Sequence, residues 1–88
     1  IWRPRDYPRG TVLHAQGAMH DGLFVLAAGL VKLTYLTAEG DEWIKSLIAD
    51  RGVFGGFAPQ PQLSRFGAVA VEAVSAAELP GDWLRGVL

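Results

Sequence analysis

Short apolar runs separated by glycine-bearing breaks set the rhythm of this chain. Gly17, Gly29, Gly40 and Gly52 fall at spacings of 12, 11 and 12 residues, with Gly55 close behind. Between them lie runs rich in Val, Leu, Ile, Phe, Tyr and Trp. A glycine at the end of an apolar run allows positive φ, so that a strand can reverse within a few residues. Even spacing of this kind predicts an antiparallel sandwich, roll or barrel.

The pattern places strands in order. Thr11 to Ala15 forms the first, after a Tyr7-Pro8-Arg9-Gly10 turn, and Gln16-Gly17 ends it. Residues 18–22 read as a loop, because Asp21-Gly22 is a strong turn pair. Leu23 to Ala28 is almost continuously apolar, which predicts burial on both faces. In Leu30 to Leu36, Val31, Leu33 and Tyr35 alternate with Lys32 and Thr34, predicting one buried face. Residues 37–41 form a hairpin loop, and Glu42 to Ile48 returns with Trp43 and Leu47 on one face and Ile44 and Ile48 on the other. A turn at 49–52 leads into Val53-Phe54. From Gly55 to Gln62 the chain carries two prolines and no period, and a long loop in a small domain is usually functional. Ala68 to Leu79 supplies one or two further strands. Pro80-Gly81 then breaks the pattern, and Asp82 is placed to cap a helix carrying Trp83, Leu84, Val87 and Leu88 as an apolar stripe.

Composition narrows the possibilities. Eighty-eight residues make one domain, residues 1–88, able to bury roughly 60–65% of its unfolded surface. The chain has no cysteine, which excludes disulfides, thiolate metal sites and cysteine-held iron–sulfur clusters, and agrees with a cytoplasmic location. No apolar run is long enough to span a bilayer, so no membrane role is expected. A net charge of −1 without a basic run argues against direct DNA contact by this segment. The chain opens on Ile1 and closes on Leu88 inside the nascent helix, and it reads as an excerpt of a longer protein.

Candidate chemistry is sparse. His14 and His20 are the only histidines, too few for a cupin-type metal site, and they read as a satisfied strand residue and a solvent-loop residue respectively. Glu39, Asp41 and Glu42 make an acidic hairpin tip, read as a solvated turn. Ser46, Ser64 and Ser75 lack the context of a nucleophile, and no enzyme is indicated. No metal or cofactor is expected.

The order of signals resembles a known family. Gln16-Gly17 is followed by residues 23–33 with Gly29-Leu30-Val31, then Glu39-Gly40-Asp41-Glu42, Gly52-Val53-Phe54-Gly55, residues 68–71 and Glu78-Leu79-Pro80. This series resembles the cyclic-nucleotide-binding-like effector domain of Crp/Fnr-type bacterial transcription regulators, over roughly residues 7–88. The resemblance implies an all-β fold: an eight-stranded antiparallel β-roll of jelly-roll type with the start of a C-terminal helix. It implies a sensor that transmits a small-molecule or other signal, through a long dimerisation helix, to a helix-turn-helix beyond this segment. DNA would then be met only through that missing domain, and the full-length protein would be a homodimer. Alternatives are a regulatory domain of a kinase, channel or transporter, and a cupin-like small-molecule binder.

In nucleotide-binding members of that family a Gly-Glu segment supplies a carboxylate to the ribose, and an Arg-Ser/Thr-Ala segment holds the cyclic phosphate. Gly55 matches the glycine, but Gly56 stands at the carboxylate position, and no other carboxylate lies between Arg51 and Glu72. In one register the phosphate-binding triplet falls on Ser64-Arg65-Phe66, with the first two types exchanged; in another, Phe66-Gly67 fall there. A buried hydroxyl without its acceptor costs about 1–3 kcal/mol, so tight cyclic-nucleotide binding is not expected. Gly55, Gly56, Phe57, Ser64, Arg65, Phe66 and Gly67 remain the candidate ligand-binding residues. Arg65 reads as an anion contact or as a solvated loop arginine, and Gly55-Gly56 as a close approach to ligand or a tight turn. Phe57 and Phe66 could collapse inward and fill the pocket themselves. A haem-binding variant would have only His14, His20 or Met19 as axial ligands. The identity of any effector stays open.

Overall fold

The computed structural model describes residues 3–56 and 62–87. Among these, ten strands precede one helix: β1 (Arg5–Tyr7), β2 (Val12–His14), β3 (Met19–His20), β4 (Gly22–Ala28), β5 (Val31–Leu36), β6 (Glu42–Ile48), β7 (Val53–Gly56), β8 (Gln62–Leu63), β9 (Gly67–Ala70), β10 (Val74–Pro80) and α1 (Gly81–Val87). They form two four-stranded sheets, ordered β1-β10-β4-β7 and β2-β9-β5-β6, with β3 and β8 paired separately. Every pairing is antiparallel. The all-β roll with a short terminal helix is therefore as the spacing and the resemblance imply.

The core lies between the two sheets. Phe24 and Leu26 of β4, Phe54 of β7 and Val74 and Ala76 of β10 meet Val31 of β5 and Ala68 and Ala70 of β9. Small residues on β9 and β10 bring the sheets close, and Leu26 and Val31 lose all contact with solvent. Full burial of side chains of this size contributes about 1.5–3 kcal/mol each.

Four expectations need correction. Met19 and His20, read as part of a loop, form a strand that pairs with Leu63 and Gln62. Arg5–Tyr7, where no strand was expected, adds an edge strand to β10. Strand β4 is buried on one face only: Gly22, Phe24 and Leu26 point inward, and Ala27 and Ala28 are exposed. On β5 the expected alternation fails after Leu33, since Thr34 is buried whereas Tyr35 is 45% exposed. The cause is an irregular register, with Leu33 opposite Ser46 and Thr34 opposite Ile44, which leaves Lys45 as an extra residue on β6. A bulge of this kind adds a residue to one strand and disturbs the side-chain phase beside it. Trp43, Ile44 and Leu47 all end up exposed, and of the four apolar side chains on β6 only Ile48 packs against the core.

The turn at 49–52 also works differently from its spacing. Arg51, rather than Gly52, takes the positive φ, at 70°. Gly52 is needed for space, because a Cβ there would overlap the Ile48 side chain. The turn is tied to β4 by Arg51 N–H donating to the Leu26 carbonyl at 2.7 Å, and Leu26 N–H donating to the Gly52 carbonyl at 2.9 Å. Helix α1 begins at Gly81, so Asp82 lies inside its first turn instead of capping it. Leu84 is buried and Trp83 is 36% exposed, while Leu88 and the Val87 side chain lie outside the described residues.

Candidate functional site

Four rings meet at the end of the roll where β2, β3, β4 and β7 converge. Phe24 and Phe54 are direct cross-strand neighbours, with centroids 5.0 Å apart and planes 11° from parallel. His20 lies over Phe24 at 5.4 Å and 8°. His14 stacks on His20 at 4.9 Å and 18°, and stands 6.2 Å from Phe54. Both nitrogens of His14 and Nε2 of His20 are buried without a hydrogen-bond partner among the described residues. His14 is thus in a strand, as expected, but it is not satisfied, and His20 faces the interior instead of solvent.

Burial is the main force holding the His14 pKa below its usual value, and repulsion from His20 acts in the same direction. The backbone at Phe66 offsets part of this, without completing a hydrogen bond to the ring. Both imidazoles stacked so closely cannot be charged cheaply, since like charges at this distance disfavour each other.

The residues singled out from sequence surround these histidines unevenly. Gly55 and Gly56 lie on β7, opposite Leu23 and Gly22. They form strand, not a tight turn. At φ 111°, a Cβ on Gly55 would stand 2.7 Å from the Gly22 carbonyl and 3.4 Å from His20 Nε2. The bare α-carbon therefore lets β4 and the His20 ring approach β7. Gly67 is buried on β9 opposite Thr34. Ser64 has its backbone committed: its N–H donates to the Ala18 carbonyl at 2.9 Å, and its carbonyl accepts from Gly17 N–H at 2.8 Å. Arg65 is exposed, and Phe57 lies outside the described residues.

Phe66 joins a second cluster. Its ring meets Tyr35 edge-on at 6.3 Å, and Lys45 Nζ sits 4.9 Å from its centroid. The bulged lysine thereby places a cation beside an aromatic rim, with Trp43 opposite Tyr35 across the strands. The sequence presents His20 only as a haem axial ligand or a solvent-loop residue, and assigns Tyr35 and Lys45 no part in the site. The only available signal was two histidines flanking the Gly17 turn.

The segment joining β3 to β4 meets the terminal helix. Asp21 accepts two hydrogen bonds from Arg85 of α1, at 2.9 and 2.5 Å, and its carbonyl accepts from Gly81 N–H at 3.0 Å. The guanidinium holds the Asp21 carboxyl below the usual carboxylate range and is itself held firmly protonated. Elsewhere, an open, mainly apolar groove of about 400 Å³ lies at the far end of β4, lined by Tyr7, Pro8, Ala28 and Val74 with Asp6 and Ser75 as its polar members. No three His, Asp or Glu side chains among the described residues converge on a metal position. No helix among them is long and apolar enough to cross a membrane.

Comparison with known proteins places this arrangement. The family model for the cyclic nucleotide-binding domain matches residues 4–88. A CRP-like cAMP-activated global transcriptional regulator of Mycobacterium tuberculosis is 30% identical over 86 residues, covering 94% of this chain and 38% of that protein. The chain therefore spans well under half of that relative. Among solved structures, the catabolite activator protein of Thermus thermophilus superposes with a TM-score of 0.89 at 25% identity, over 98% of this chain and 41% of its own. The sensor domain of the transcriptional regulator DNR from Pseudomonas aeruginosa shares the fold with a TM-score of 0.84 at 24% identity, over 98% and 59%. The two-sheet roll, the glycine-marked turns and the sequence match agree: this chain belongs to the cyclic nucleotide-binding domain family.

Proposed function

We propose that this chain is the signal-receiving domain of a Crp-like bacterial transcription regulator, and that its signal is not a tightly bound cyclic nucleotide. Its role is regulatory: it passes a change in the roll through α1 to a helix-turn-helix that follows in the full-length homodimer. The relatedness to the M. tuberculosis regulator supports the first part. The observation that carries the second is Gly56. It stands on β7, opposite Gly22, and in the register of the family's Gly-Glu motif it takes the place of the carboxylate that accepts from a ribose hydroxyl. Neither Gly55 nor Gly56 supplies an acceptor side chain, and the only cation of the 62–67 segment, Arg65, is exposed.

The clustered rings support the same reading. The end of the roll beside β7 holds the protein's own His14, His20, Phe24 and Phe54, whereas Phe66 packs with Tyr35 and Lys45.

The test of the regulator reading is DNA binding. The full-length protein should bind a duplex selected from a random pool, measured by fluorescence anisotropy. Truncation at Leu88 should abolish binding. A full-length protein that selects no duplex, or in which a membrane or kinase domain follows Leu88, contradicts the reading.

A further inference from the structure

Two imidazoles with unpartnered nitrogens inside a ring stack are a costly feature, since a buried polar atom normally finds a partner. The elements that carry them are held lightly. Among the described residues strand β3 has two residues paired with β8 and flanked by the Ser64 backbone bonds to Gly17 and Ala18, and β2 has three residues with an irregular register against β9. Short elements with few ladder hydrogen bonds open more readily than the core strands. The residue after His20 is Asp21, which holds α1 twice, through the Arg85 guanidinium and through the Gly81 N–H.

We propose that the His14–His20 pair is a proton-binding site, and that its occupation displaces β3 and loosens the Asp21–Arg85 hold on α1. This rests on the sensor reading and names its effector as the proton. A proton on His14 places a charge within the stack, beside Phe24 and against the His20 ring, where burial opposes it and the Phe66 backbone offsets only part of the cost. The charge is relieved when the ring turns out toward solvent. Movement of His20 carries Asp21 with it, because the two are adjacent in the chain.

The charged groups around the pair are few. From the elements packed against it, β4, β7 and β9 present Phe24, Phe54, Gly55, Gly67 and Ala68, none of them titratable. Asp21 is the carboxylate that feels His20, and Arg85 is bound to Asp21. Asp82 pairs with Arg85 from the solvent side, with its side chain 98% exposed.

The experiment is an imidazole nitrogen NMR titration, with amide hydrogen exchange of α1 measured at each pH and corrected for intrinsic rates. The expected result is that α1 exchange accelerates about tenfold or more over roughly two pH units below neutrality, following the histidine titration. The His14→Phe, His20→Phe double variant, which keeps four stacked rings, should show no such acceleration. If that variant fails to fold, His14→Leu alone serves, and its response should be strongly reduced. An α1 whose exchange ignores the histidine titration overturns the proposal, as does an equal response in a folded variant lacking the histidines. These readouts come from the roll and its helix, whereas the regulator reading is decided by DNA binding. A roll that responds in a protein that binds no DNA would sink that reading and leave the proton site standing.

Discussion

Arg85 and Asp21, 64 residues apart in sequence, form a bidentate pair at 2.9 and 2.5 Å that fastens the terminal helix to the turn between β3 and β4. Each side chain retains under a quarter of its exposure, so the pair is sheltered beyond an ordinary surface ion pair. Gly81 lies hard against the Asp21 carboxylate, leaving no room for a side chain at the start of the helix. Asp21→Asn should therefore speed hydrogen exchange across α1 and lower the melting temperature. Asp82→Asn, which alters only the exposed partner, should change both far less. Equal effects from the two substitutions would show that Asp21 has no special hold on the helix.

The pH dependence of stability separates the two kinds of titrating group. Because the His14 pKa is lowered on folding, the unfolded chain takes up protons more readily. Stability from this residue is full at neutral pH and falls as the pH drops through the ordinary histidine value near 6.5, by at most about 1.4 kcal/mol per pH unit. The Asp21 carboxyl is also lowered, so its contribution depends on pH in the same direction but in a lower window: it is full above the ordinary carboxylate value, near 4, and is lost only as the pH falls below it. Urea denaturation midpoints should thus decline between roughly pH 7 and pH 5.5 in the native protein and not in His14→Phe.

Truncating the stack should be expensive. Phe24 is 3% and Phe54 4% exposed, and each is packed against the other and against an imidazole. Phe54→Ala should cost about 3–5 kcal/mol in chemical denaturation, a large share of the stability of a small domain. Phe54→Leu should cost much less, because it restores most of the volume. A loss under about 1 kcal/mol for Phe54→Ala would mean that the ring is not part of the core.

Gln16 gives a sharper test of how the roll closes. Its side chain copies a backbone pairing, donating from Nε2 to the Leu36 carbonyl at 3.1 Å and accepting from Leu36 N–H at 2.6 Å. It extends β5 beyond Thr34, where pairing with β9 ends. Gln16→Ala should lower stability by about 1 kcal/mol and raise exchange of the Leu36 amide specifically. Unchanged protection at Leu36 would contradict this role.

Much of the fold was legible because its signals are local. The turn at Gly40, the Glu42–Ile48 strand and the break at Pro80-Gly81 need only a few consecutive residues to specify them. What escaped depends on distant pairing. Nothing near Lys45 announces that it is an extra residue, yet that bulge reverses Thr34 and Tyr35 between inside and outside. Likewise Met19-His20 becomes a strand only because Leu63 and Gln62 come alongside it. The candidate site shows the same division. Gly55, Gly56 and Gly67 were visible as sites lacking a side chain. The His14–His20 contact was not, because a six-residue separation across a turn says nothing about which way two rings face. The proposed lack of a ribose acceptor at Gly56 needs only the register of the family's motif.

That missing acceptor is the center of the account, and calorimetry probes it most directly. Titration of the purified full-length protein with cyclic AMP, and separately with cyclic GMP, should give no saturable heat in the micromolar range at neutral pH. A dissociation constant that is micromolar or tighter for either nucleotide would contradict it, and would show that the roll receives a cyclic nucleotide without a carboxylate on β7.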